Sequence, residues 1–200
     1  MLGGVVSYSI IEHKHRFAVW AAARATSRGA ARQGISLDVE LSQELICNVG
    51  LRDYIADPGW LPRVEDIDAA HLEWRDKMIV ESGRDGKSLT HGLAAKLINI
   101  YLKSVFLCGG FHQHSKVAAL HPPIDRLLLD KLARKNVGGH RHFWRAMHGR
   151  GWTRFDSDEY LSVISKIRNV MGGRPLWEIE RYWPVAQSLR GPDAGHDASL

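Results

Sequence analysis

Apolar residues along this chain recur mostly at helical intervals, and strand-like alternation is nearly absent. Residues 15–28 place Phe17, Trp20, Ala21 and Ala25 at helical spacing in an alanine-rich run, which predicts a first helix. Ser36 is positioned to cap a second helix over 37–48, closed near Gly50. Residues 65–82 set Ile67, Leu72, Trp74, Met78 and Ile79 mostly on one face. Ser88 or Thr90 then opens a long apolar helix reaching about 107, followed by a polar loop over 108–119. Further helices are predicted from Asp125 to about 135, over 141–147, from the Ser157-Asp158-Glu159 cap to about 170, and over 176–187. Only residues 4–11 alternate as a strand would. The pattern therefore predicts an all-α protein. It forms a single helical domain over 1–189, with two lobes (about 1–85 and 86–189) around a central groove, and a polar, disordered tail over 190–200.

Composition changes this picture little. With 44% hydrophobic and 24% charged residues the chain can bury an ordinary core. Lys and Arg total 27 against 22 acids, a net charge of +5, which is compatible with a phosphate-bearing partner. Two isolated cysteines, Cys47 and Cys108, read as buried free thiols of a reducing compartment. Neither a leader-like start nor an apolar run of about 18 residues is visible, so the expectation is a cytoplasmic protein without a membrane partner.

The segment with most chemical content is 90–132. Lys96 lies in the apolar helical run Gly92-Leu93-Ala94-Ala95-Lys96-Leu97-Ile98-Asn99, and Asp125 follows Pro122-Pro123-Ile124 at the head of the next helix. Desolvation on an apolar helix lowers the pKa of an amine by disfavouring its charged form. A carboxylate facing it across a groove can then hold a water or stabilise positive charge. Asp125 is equally well placed to cap the helix it heads, and Lys96 to be a solvated lysine.

This segment resembles the core of the helix-hairpin-helix DNA glycosylases of the endonuclease III and 8-oxoguanine glycosylase type. Gly92 stands where the first hairpin glycine of that family stands, Ala94 replaces the second, and Lys96 falls on the catalytic lysine. Pro123-Ile124-Asp125-Arg126-Leu127-Leu128 is similar to the stretch around the family's helix-capping aspartate. The resemblance covers about 45 of the 200 residues. It implies DNA repair by base excision without a cofactor, with Lys96 attacking C1′ of a damaged nucleotide, Asp125 assisting, and backbone cleavage through a Schiff base. DNA would be held by Gly92, Arg126 and a basic stretch that includes Lys131, Arg134, Arg141, Arg145 and Arg150, with Trp152 stacking on a base.

Three His-x-His pairs (His13 and His15, His112 and His114, His140 and His142) lack the regular partners of a metal centre, and no metal site is assigned. Most of the seven tryptophans fall on helix faces where core packing is expected, whereas Trp60 and Trp152 sit in loops. The alternative reading is a helical module that binds nucleic acid or protein without chemistry.

Overall fold

The computed structural model describes residues 8–83 and 88–184, and the predicted tail lies outside them. Among the described residues eight α-helices carry the fold: α1 (Ile10–Ala31), α2 (Val39–Asn48), α3 (Ile67–Ser82), α4 (His91–Leu102), α5 (Ser115–Ala118), α6 (Arg126–Arg134), α7 (Arg141–Arg150) and α8 (Ser157–Met171). Short 3-10 turns link them, and Leu176–Tyr182 is 3-10 rather than α. No strand occurs among the described residues; Ile10 and Ile11, which ended the alternating stretch, open α1.

Helix α4 is the axis of the molecule. Ten of its 12 residues are buried, so it is apolar on nearly every face, as a helix enclosed by its neighbours must be. It continues into a π-helical stretch, Lys103–Phe111, where a loop was expected from 108. Together they span His91–Phe111, long and apolar enough by length and composition to cross a membrane, yet most of that span is buried inside the protein.

The face that α1 turns inward is not the aromatic one. Ala18, Val19, Ala22, Ala23, Gly29 and Ala30 are buried, whereas Phe17 and Trp20 are 57% and 48% exposed. Small side chains let α1 approach α4 closely, and that closeness outweighs the area two aromatic rings would bury. Helix α2 begins later than expected: Asp38, not Ser36, accepts from the Leu41 amide at 2.8 Å. Cys108 is exposed and Cys47 half-buried, so neither is the enclosed thiol expected.

Two apolar clusters form the core. One draws on residues from Ala18 to Leu120, the other on Ala95 and residues from Ile124 to Ile179. The division between them falls after Leu120, and α4 contributes to both.

Candidate active site

The site is built from the two helix heads inward. Thr90 caps α4, accepting from the Leu93 amide at 3.2 Å while its hydroxyl donates to the Thr153 carbonyl at 2.9 Å. Lys96 therefore sits in the second turn of α4 and is 4% exposed. Asp125 caps α6, its Oδ1 accepting from the Leu128 amide at 2.9 Å. Its Oδ2 faces Lys96, with Nζ at 3.1 Å. One carboxylate thus serves as cap and counter-ion at once, through different oxygens.

Gly92 explains how a turn comes to lie on this helix. A Cβ there would stand 1.8 Å from the Trp152 carbonyl oxygen, so only glycine admits the turn Trp152–Arg154. The Gly92 amide donates to the Phe155 carbonyl at 3.2 Å. This docking carries the Trp152 ring to 5.7 Å from Lys96 Nζ, within the range of a cation–π contact. Trp152 also packs on Gly29 of α1, where a Cβ would meet its ring at 2.7 Å.

A roof closes the pair. Glu180 and Trp183, with Ile100, Pro123 and Leu128, line a cavity of about 10 Å³ beside Lys96 and Asp125, room for about one water. Lys103 pairs with Glu180 and lies 5.6 Å from the Trp183 ring centre. Burial pushes the Lys96 ammonium below its ordinary pKa, with Asp125 opposing that shift. Burial likewise pushes Glu180 up, with Lys103 opposing.

Arg126, Arg141 and Arg145 are exposed and Lys131 half-buried, all on the packed pair α6 and α7, without ion pairs among the described residues. Arg134 is neutralised by Asp130 and Arg150 by Glu159. Trp152 is half-buried against Lys96 and Gly29, whereas Trp60 is exposed.

Sequence reasoning missed a chain of buried hydrogen bonds beneath the site. With neutral imidazoles, each histidine donates through Nε2 and accepts at Nδ1. Arg75 Nε donates to His71 Nδ1 at 3.2 Å, and His71 Nε2 donates to Asn99 Oδ1 at 2.8 Å. Asn99 Nδ2 donates to Tyr160 Oη at 3.0 Å and to the Pro122 carbonyl at 3.1 Å. Tyr160 donates to His121 Nδ1 at 3.0 Å, and His121 Nε2 to Asp68 at 2.7 Å. Arg168 closes the chain on Asp68 with both terminal nitrogens. The bond to Pro122 ties this network to the segment that delivers Asp125 to Lys96. The only signal in the sequence is His71 and Arg75, four apart on the buried face of α3.

Both imidazoles are neutral in that circuit, and burial holds each below its ordinary pKa. Between the folded and unfolded values the unfolded chain binds more protons, so stability falls as pH drops below about 6.5. Thermal melts from pH 7 to 5 are expected to show a loss of up to about 1.4 kcal/mol per pH unit for each histidine. A flat profile would contradict the neutral circuit.

A much larger cavity, about 630 Å³, lies elsewhere. Val64, Glu65, Asp68, Ser115, Arg168 and Leu176 line it, and neither Lys96 nor Asp125 does. No protein-family model, curated protein or solved structure matches the chain.

Proposed function

We propose that this protein is a DNA base-excision glycosylase with lyase activity, in which Lys96 is the nucleophile and Asp125 its activating acid. The observation that carries the reading is the 3.1 Å contact between Lys96 Nζ and Asp125 Oδ2, made across 29 residues of sequence with the lysine buried. The shift caused by burial raises the fraction of neutral amine at neutral pH.

In the proposed reaction the lone pair of Nζ attacks C1′, and the C1′–N bond breaks with its electrons leaving on the base. Asp125 stabilises the positive charge that develops on the sugar. Opening of the sugar ring gives a Schiff base between Nζ and C1′. Loss of a C2′ proton then expels the 3′ phosphate. A nucleoside reaches Lys96 only if Glu180 and Trp183 move aside, since the cavity holds about one water. That closure is also what favours the second reading, a helical binding module in which the pair is an internal ion pair.

Borohydride trapping on duplexes that carry an abasic site or a panel of lesions separates the two. The expected result is a covalent adduct in the wild type that Lys96→Ala abolishes. Absence of an adduct on every substrate, with Asp125→Asn binding DNA as the wild type does, would leave the binding module standing.

A further inference from the structure

The outward face of α1 carries a row of cations with nothing to neutralise them. Between Glu12 and Asp38 the chain holds five Lys and Arg residues and no acid. Arg24, Arg28 and Arg32 are exposed, and their guanidinium groups form no ion pair or hydrogen bond among the described residues. By contrast Arg16, Arg52, Arg63, Arg134 and Arg150 each face a carboxylate. Like charges four apart on a helix repel, so the row weakens the helix that bears it. The helix dipole favours Arg28 and Arg32 at the C-terminal end of α1, but it leaves Arg24, inside the helix, without a stabilising role.

The row continues an exposed aromatic pair. Trp20 is one four-residue step before Arg24, and its ring lies 6.0 Å from that of Phe17. From Trp20 to Arg32 the row extends about 18 Å along the helix axis. At its far end Gly29 packs beneath Trp152, and Gln33 donates to Thr153 at 3.2 Å. The row therefore leads to the turn that covers Lys96.

We propose that Trp20, Arg24, Arg28 and Arg32 form a contact surface for a nucleic-acid strand. The three guanidinium groups meet successive stretches of phosphate backbone, and Trp20 stacks on an unpaired base. Charge complementarity selects this occupant: three unpaired guanidinium groups in line match a linear polyanion. A membrane surface fits less well, because an interfacial helix carries its apolar face along its whole length. Here the half of α1 bearing the arginines offers only alanines at 21, 25 and 31 beside them. The surface goes beyond the Lys96 chemistry and stands even if that lysine is inert.

The test compares the full wild-type chain with Arg24→Ala/Arg28→Ala/Arg32→Ala and with Trp20→Ala. Binding is read by fluorescence anisotropy of labelled single-stranded and duplex oligonucleotides over a salt series, with circular dichroism to verify folding. The triple variant is expected to bind at least about tenfold more weakly, with a slope of log K against log salt shallower by about 2–3. Trp20→Ala is expected to weaken single-strand binding more than duplex binding. Unchanged affinity and slope in the triple variant would overturn the surface. So would a wild type that ignores both oligonucleotides and binds phosphatidylserine vesicles or polyglutamate instead. Loss of binding in the triple variant, without any borohydride adduct in the wild type, upholds the surface and removes the Lys96 chemistry. An adduct in both chains with equal DNA affinity does the reverse.

Discussion

Asp125→Ala is expected to destabilise the protein by about 3–5 kcal/mol at neutral pH, because it leaves the Lys96 ammonium buried without a partner. The lost helix cap adds about 1 kcal/mol. Lys96→Met is expected to cost much less, within about 1–2 kcal/mol, since an apolar side chain of similar length replaces a buried charge. Asp125 tolerates the loss better than Lys96 would, being 18% exposed at its side chain and still bonded to the Leu128 amide. The asymmetry has a pH signature. The folded pKa of Lys96 lies below its unfolded value near 10.4, so the unfolded chain binds the extra proton between them and stability rises with pH. The deficit of Asp125→Ala should therefore shrink between pH 7 and 10. Urea unfolding at both pH values checks it: equal penalties for the two variants, or a deficit that ignores pH, would mean that the ammonium is not held out of water.

Gly92→Ala is the second large effect. Its Cβ would fall 1.8 Å from the Trp152 carbonyl oxygen, and backbone yields far less readily than a side chain. The turn Trp152–Arg154 must lift from α4, breaking the Gly92–Phe155 and Thr90–Thr153 hydrogen bonds as it goes. Overpacking costs typically about 1–3 kcal/mol, and this case belongs at or above the upper end. A variant as stable as the wild type in urea would show that the turn is not docked as described. Ala94→Gly, which would restore the second glycine of the hairpin pattern, adds no atom and should cost about 2 kcal/mol, about 1 of helix propensity and the rest from the buried methyl.

Much of the helical architecture is legible locally. Thr90 and Asp125 announce their helices because a cap needs only its own oxygen and an amide three residues on. The convergence of Lys96 and Asp125 can be anticipated too, since both lie near helix heads beside apolar runs. What the pair does is not written there. Nor is the inward face of α1: Phe17 and Trp20 repeat as regularly as Ala18 and Ala22, and the choice between them depends on how near α4 comes. Ser36 and Asp38 are both able to cap, and the burial of Leu37 between them gives Asp38 the role. His71 and Arg75 break the apolar stripe of α3, and their partners Asn99 and His91 come from a helix formed later in the chain. The roof over Lys96 depends on Glu180 meeting Lys103, a pairing 77 residues apart that no local signal foretells.

The enclosure of α4 bears on how the chain is made. Its cover comes from both sides: α1 and α3 precede it, whereas α8 and the turn Trp152–Arg154 follow. On the ribosome, where domains fold as their segments emerge, the 21-residue, mainly apolar segment His91–Phe111 leaves the tunnel before α8 and the turn Trp152–Arg154 are synthesised. Until residues 124–179 arrive, the apolar side of α4 that they enclose has no partner within the chain. The helix that organises the finished protein is thus among the last to be fully enclosed as the chain is made.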